Sequence, residues 1–336
     1  MTLNRQIILA SRPDGAASAD NFKLQEAPLP PLAEGEVRVR HHYLSLDPYM
    51  RGRMNDSKSY TAPQALGEPM GGGTVGEVVE SRFEGLAPGD RVLGHGGWQE
   101  WSQLPGKAWT KLPTDDAVPL SYYLGAVGMP GVTAWVGLNE IIQPKAGDTV
   151  LVSAASGAVG SAFAALAKAR GCHTVGIAGG PEKCAYAEQE LGFDVCVDYR
   201  PHADAQSLSK ALKAVCPNGV EGYFENVGGM IMNAVLPRMN AFGRIALCGL
   251  IAGYDGAPTA IDNPSLFLIQ RLKMQGFIVS EFPKSWAPAL KELGDLVKAG
   301  KLRPRETVAQ GLEHAPEAFF GMLKGKNFGK QLVKLI

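Results

Sequence analysis

Two short stretches of this chain combine residue types that hold phosphates. The first is the small-residue turn Ala154-Ala155-Ser156-Gly157-Ala158-Val159-Gly160, and the second is Gly179-Gly180-Pro181-Glu182-Lys183. In the first, backbone N–H groups and the positive end of a following helix can receive a pyrophosphate. The second stands where a dinucleotide site that prefers NAD sets an acid for the ribose 2′-hydroxyl. Here that place holds two glycines and a lysine, which leave room and positive charge for a 2′-phosphate. Together the two motifs point to NADPH. The fingerprint is AxGxxG, with Ala155 in the first glycine's place, and its specificity comes from context: a strand before, a helix after, a second strand beyond.

The elements that must position these residues follow from hydrophobic patterning. An apolar run at 149–153, an Ala-rich helical segment at 157–170 and a second apolar run at 174–178 make one βαβ unit. The alternation continues through 182–191, 194–197, 204–215, 221–224, 231–239 and 243–248, which predicts an α/β fold with a doubly wound parallel sheet over residues 128–299. Three further segments fall at carboxyl strand ends on the cofactor side: Asn226 in Glu225-Asn226-Val227-Gly228-Gly229, the run Cys248-Gly249-Leu250-Ile251-Ala252-Gly253-Tyr254, and Gly276-Phe277-Ile278-Val279. Residues 1–127 read instead as β-rich, with short runs at 36–41, 74–80 and 91–94 between Gly, Pro and Asp turns. Helices are expected at 292–299 and near 315–324. The last strand, 330–336, is expected to return to the first domain, so that 300–336 joins 1–127.

Composition narrows the class. The 336 residues carry 33 Lys+Arg against 33 Asp+Glu, a balance that gives no support to nucleic-acid or anionic-membrane partners. No apolar run reaches the length of roughly 18 residues that a membrane span needs. The N-terminal apolar stretch is too short for a signal-peptide core, so a cytoplasmic enzyme is expected. The five cysteines form no CxxC pair and several lie in apolar strand contexts, as buried reduced thiols do.

The chain resembles the zinc-independent medium-chain dehydrogenase/reductase superfamily. Within it, it is similar to the leukotriene 12-hydroxydehydrogenase/prostaglandin reductase group and the bacterial NADPH-dependent curcumin reductases. The resemblance covers almost the whole chain. It rests on Leu44-Ser45-Leu46-Asp47-Pro48-Tyr49-Met50-Arg51-Gly52-Arg53-Met54, on Gly128-Met129-Pro130-Gly131-Val132-Thr133-Ala134, on the phosphate motifs above, and on the ending Lys324-Gly325-Lys326-Asn327-Phe328-Gly329-Lys330. It implies a Rossmann domain with a GroES-like catalytic domain, NADPH as cofactor, and a homodimer, for which residues 261–280 with Phe267, Leu268 and Ile269 could supply an apolar edge. It also implies roles. Gly157, Ala158, Val159 and Gly160 would line the pyrophosphate. Lys183, assisted by Tyr199, would meet the 2′-phosphate. Asn226, Cys248, Gly249, Leu250, Ile251, Tyr254, Phe277, Ile278, Val279 and Asn327 would complete the cofactor site, with Thr133 near the nicotinamide and Tyr49 at the substrate mouth. The metal-dependent members carry a Gly-His-Glu motif; the matching stretch here, Leu66-Gly67-Glu68-Pro69-Met70-Gly71-Gly72, has no histidine, and the six histidines show no ligand spacing. No metal is expected.

Without a Lewis acid, hydride addition to a conjugated double bond is favoured over reactions that must stabilise an alkoxide. The expected reaction is reduction of an α,β-unsaturated ketone or aldehyde, hydride to the β-carbon and proton to the α-carbon. It needs a hydrogen-bond donor aimed at the carbonyl oxygen and a proton source. Tyr254 is the candidate donor, directly or through the nicotinamide ribose, and Tyr49 is the second oxygen contact. A tyrosine at its ordinary pKa of about 10 is a poor acid, so solvent delivery of the proton stays open. Quinone reduction and NADPH binding without turnover are the competing readings.

Overall fold

In a computed structural model that describes residues 3–336, the alternation of apolar and polar residues in the first third of the chain becomes a set of antiparallel strands. They are β1 (Leu3–Leu9), β2 (Phe22–Pro28), β3 (Glu36–Ser45), β4 (Thr74–Ser81), β5 (Arg91–Gly94), β6 (Trp101–Pro105) and β7 (Thr110–Lys111), with a short helix α1 (Tyr49–Arg53) after β3. In β3, Val37, Val39 and His41 are fully buried while Arg40 between them is exposed, the period of two of a half-buried strand. The chain then changes to parallel strands β8 (Thr149–Ser153), β9 (His173–Ala178), β10 (Val195–Asp198), β11 (Val220–Glu225), β12 (Met239–Leu247) and β13 (Lys273–Gly276). α2 (Met129–Val136) precedes them, and between and after them run α3 (Ala158–Ala169), α4 (Pro181–Gln189), α5 (Ala205–Val215), α6 (Gly229–Val235), α7 (Ser265–Gln270) and α8 (Pro283–Lys298). β14 (Glu306–Gln310), α9 (Ala315–Leu323) and β15 (Lys330–Lys334) end the chain.

Two compact units result. One comprises residues up to 124 together with 306–327 and 331–336, and the other 125–305 together with 328–330. In the first unit β14, β15, β3, β4, β5 and β7 follow one another across a sheet, β6 adds to β3, and β1 pairs β2 in a separate antiparallel ribbon. β15 lies antiparallel to β3 through Leu332 and Ser45. Its core gathers around fully buried Trp98, which stacks on Phe22 at 5.3 Å and meets Phe319 of α9 edge-on at 5.6 Å. Met50 and Met54 complete that cluster.

The second unit holds a six-stranded parallel sheet in the order β10-β9-β8-β11-β12-β13. Counted within the sheet this is 3-2-1-4-5-6, the doubly wound order, and the chain reverses its direction of build between β8 and β11. Loops at the carboxyl ends of those two strands diverge and leave a crevice for a ligand. Leu151, Val175, Ile177, Leu208, Leu212, Tyr223 and Ile245 pack into the core on one side of the sheet.

Three elements depart from the sequence expectation. The helix expected at 292–299 begins at Pro283, with Pro at its first position, and runs through Pro288. α6 ends at Val235 and passes into a 3-10 turn, Leu236–Arg238. β12 starts at Met239 rather than 243, with a register break against β11 and Phe242 at φ 66° marking the irregularity.

Candidate functional site

The phosphate turn is built by close approach. Ala154 adopts φ 53° and its carbonyl accepts from Gly157 N–H at 2.9 Å. A Cβ on Gly160 would lie 2.5 Å from the carbonyl oxygens of both Ala154 and Ala155, so only glycine lets α3 start this close to the turn. The Ala155 methyl, where the fingerprint has its first glycine, is accommodated by Gly176 on β9, whose own Cβ would lie 2.7 Å from it. Gly157 caps α3 without a side-chain bond, and helix geometry leaves the N–H groups of Ala158, Val159 and Gly160 directed out of the helix end. These are the donors a pyrophosphate takes.

The end of the chain returns to this turn. Gly329 N–H donates to the Ser156 carbonyl at 3.0 Å, and Gly157 and Gly329 form a parallel bridge. Gly329 sits at φ 62° with a hypothetical Cβ 1.7 Å from the Arg305 carbonyl, so no side chain fits there. Phe328, beside it, has the Lys183 ammonium 5.4 Å from its ring centroid and the Tyr186 ring at 6.1 Å.

Around Gly179 and Gly180 the structure gathers residues expected at a 2′-phosphate. A Cβ on Gly179 would lie 3.1 Å from the Tyr199 hydroxyl and 3.2 Å from Arg200 Nε; one on Gly180 would lie 3.1 Å from Arg200 Nη1. The Asp198 carboxylate ties the two loops by accepting from Gly180 N–H at 2.8 Å and Arg200 N–H at 3.0 Å. Burial, and then the charge of Arg200, push the Lys183 pKa down. A phosphate dianion between two such cations reverses the second effect and is the ligand this electrostatic arrangement favours. Arg200 was not singled out from the sequence; its place beside Gly180 depends on the pairing of β9 with β10.

At the switch point, a carboxylate that sequence reasoning passed over organises the loops. Glu225, at the end of β11, is fully buried. Its Oε1 accepts from the Ser153 hydroxyl at 2.7 Å, Val227 N–H at 2.5 Å and Gly228 N–H at 3.1 Å, and its Oε2 accepts from the Tyr223 hydroxyl. Asn226 N–H donates to Ser153 Oγ and its side-chain amide to the Ser153 carbonyl, both at 2.8 Å. That leaves the side-chain oxygen of Asn226 as the group a ligand hydroxyl can meet. The next loop is laced to this one: Cys248 and Gly249 N–H donate to the Glu225 carbonyl, and Ile251 N–H to that of Asn226. Leu250 packs over Gly228. Burial and the Glu225 charge push the Cys248 thiol up to about 12, so it stays protonated.

Tyr254 ends the 3-10 turn Ile251–Gly253, and its hydroxyl lies 3.6 Å from the place a Gly249 Cβ would take. The other proposed contacts divide. The Thr133 hydroxyl donates to the Met129 carbonyl at 2.8 Å within α2, so toward a ligand it is an acceptor. The Phe277 ring is 7 % exposed and stands edge-on to Phe224 and Phe282. Any cofactor contact there falls to the backbone of Phe277 and to Ile278 and Val279, although the Val279 carbonyl already accepts from Trp286 Nε1.

Tyr49 belongs to the first unit, as does Asn327, which lines a cavity with Thr307, His314, Lys324 and Gln331. In the DPYMR block, Met50 enters the core and buried Arg51 holds Asn55 and the Gly15 carbonyl. Arg53 places its guanidinium 4.6 Å over the Tyr49 ring. Burial, followed by the Asp47 charge, raises the Tyr49 pKa, so this hydroxyl donates a hydrogen bond without giving up its proton. Among the described residues no group of three or more His, Cys, Asp or Glu is arranged to hold a metal ion.

Comparison with known proteins shows the family. Residues 5–112 match the family described as "N-terminal domain of oxidoreductase" and residues 158–295 the one described as "Zinc-binding dehydrogenase". The chain is 44 % identical to the NADPH-dependent curcumin reductase of Escherichia coli (strain K12), over 99 % of this chain and 97 % of that one. It is 43 % identical to prostaglandin reductase 1 of Mus musculus, over 96 % of each. The crystal structure of CurA from Vibrio vulnificus in complex with NADPH superposes with a TM-score of 0.92 at 46 % identity, covering 99 % of both chains.

Proposed function

Because this chain belongs to the medium-chain dehydrogenase/reductase superfamily, in the group that holds the curcumin and prostaglandin reductases, we propose that it is an NADPH-dependent reductase of the conjugated carbon–carbon double bond in α,β-unsaturated ketones and aldehydes. The observation that supports the cofactor reading is the convergence of Tyr199 and Arg200 on the Gly179–Gly180 backbone, with Lys183 close enough to feel the Arg200 charge, beside a helix start that only glycine at 160 allows. When bound, NADPH supplies the hydride that adds to the β-carbon of the substrate. The protein's task is to hold the acceptor and stabilise the enolate oxygen that forms as the double bond is consumed. The Tyr254 hydroxyl, held over Gly249, is the proposed donor to that oxygen, directly or through a ribose hydroxyl, with the proton for the α-carbon coming from Tyr254 or from solvent. Tyr49, which keeps its proton, is the second proposed oxygen contact.

We read the enzyme as independent of zinc, and the missing histidine at Gly67-Glu68 supports this. A cytoplasmic homodimer is also proposed. The five free thiols support the compartment. Exposed Leu268 and Ile269 on α7, just ahead of the sheet-edge strand β13, support the dimer. The test is NADPH oxidation against enones, enals, quinones and saturated ketones, repeated with NADH and with a chelator. Chelator-resistant enone turnover with a strong NADPH preference is expected; turnover of quinones alone would replace the reading by quinone reduction.

A further inference from the structure

Cys184 and Cys196 take no part in the chemistry above, yet they sit within it. Cys184 follows Lys183 in α4, and Cys196 lies in β10 two residues before Asp198. Their sulfurs are 3.2 Å apart, with the Cys196 thiol donating to Cys184 Sγ. Cys184 is buried, and Cys196, only half-buried, is the more exposed residue of the two. The donated S–H lowers the Cys184 pKa against the opposing effects of burial, Asp198 and Glu188, while the bond to Cys184 and burial push Cys196 up. Of the two sulfurs, Cys184 is therefore the one on which the thiolate form is favoured.

We propose that Cys184 and Cys196 form a peroxide-responsive dithiol, and that their disulfide weakens the grip of the adjoining Lys183–Arg200 cradle on the 2′-phosphate. The second half rests on the assignment of that cradle made above. In the first step the Cys184 thiolate attacks one oxygen of hydrogen peroxide. The O–O bond breaks, hydroxide leaves, and a sulfenic acid forms on Cys184. Cys196 then attacks the Cys184 sulfur. Its own proton goes with the departing hydroxide as water, and the S–S bond closes. The first hydroxide takes up the proton that Cys184 released on ionising, so in sum two thiols lose two electrons and one peroxide becomes two waters. Closure brings the sulfurs from 3.2 Å to about 2.05 Å, drawing the first turns of α4 toward β10. Whatever part of that approach rotation of the two side chains does not take up falls on the backbone of α4 and β10, where the tolerance of a binding constellation is about 0.5 Å. Both loops of the cradle feel it, since Asp198 spans them through Gly180 and Arg200.

The experiment treats the full-length reduced protein with hydrogen peroxide, maps crosslinks by peptide mass spectrometry, and titrates NADPH and NADH before and after. The expected product is a dithiothreitol-reversible Cys184–Cys196 crosslink, with NADPH weakened about tenfold and NADH little changed. Cys196→Ser should give no crosslink and a dimedone-reactive Cys184, and should keep reduced wild-type NADPH binding. Absence of the crosslink overturns the proposal. A crosslinked protein with unchanged NADPH affinity overturns the switch if Lys183→Ala still weakens NADPH in the reduced state. If Lys183→Ala leaves NADPH unchanged too, the phosphate assignment falls and takes the switch with it, while the crosslink, read without cofactor, stands apart.

Discussion

Glu225→Gln isolates the role of the buried carboxylate at the switch point. In the native chain four donors converge on its two oxygens. Glutamine keeps an oxygen for Ser153, Val227 and Gly228 and sets an amide NH₂ against the Tyr223 hydroxyl, which can turn to accept. The three bonds to Oε1 survive and lose only their charge assistance, for a total of about 2 kcal/mol. In a unit of this size that lowers the melting temperature by about 5 °C. Glu225→Ala leaves four buried donors without an acceptor, at about 1–3 kcal/mol each, and should not fold stably. Because the carboxylate itself holds the Val227 and Gly228 N–H groups that follow Asn226, Glu225→Gln should also weaken NADPH, by about tenfold, beyond its effect on melting. Calorimetry and fluorescence titration of NADPH read the two effects. A Glu225→Gln protein that melts and binds like wild type would refute the view that this carboxylate sets the loops.

Lys183→Ala should weaken NADPH by about 10- to 150-fold and leave NADH nearly unchanged; equal losses for both cofactors would sink the phosphate assignment. Arg200→Ala should show the same selectivity, with a loss of about tenfold in the same titration. Tyr254→Phe should lower enone turnover by about 10²-fold at saturating NADPH; a drop of only a few-fold would reduce the hydroxyl to positioning. His41 is fully buried, its Nδ1–H donates to the Gln99 carbonyl and its Nε2 accepts from the Ser102 hydroxyl, both at 2.8 Å, and burial takes its pKa down to about 4. Its folded pKa lies below the unfolded value of about 6.5, so this stability is complete above that pH. About 3 kcal/mol is lost as pH falls from about 6.5 to 4, which urea melts of wild type and His41→Gln across that range would detect as a flatter profile in the variant.

What the sequence revealed and what it hid divide along physical lines. The turn at Ala154–Gly160 and the lysine at 183 are local signals: small residues where backbone must approach a ligand, and a charge at a helix start. Glu225 and Arg200 carry no such signature. Glu225 meets Ser153 across 72 residues of sequence, and only parallel pairing of β8 with β11 makes them neighbours. The ending Asn327-Phe328-Gly329-Lys330 was recognisable as a motif, but its use emerges only when Gly329 is seen bonded to Ser156 and Phe328 beneath Lys183. Side-chain direction was equally hidden. Nothing in the spacing says that the Thr133 hydroxyl is spent inside its own helix or that the Phe277 ring turns into the core. The early start of α8 is masked in the sequence by Pro288, a residue that ordinarily stops a helix.

The bond from Gly329 to the phosphate turn also governs how the protein can be made and divided. Residues 328–330 complete a unit whose remainder ends at Arg305. On the ribosome, that unit waits for more than twenty further codons after Arg305 before the Ala154–Gly160 turn receives its partner at Gly329. No contiguous cut of the gene yields that unit alone, without 306–327, and a tag or fusion spliced between 327 and 331 would strike the turn directly, though it lies more than 150 residues from it in the chain.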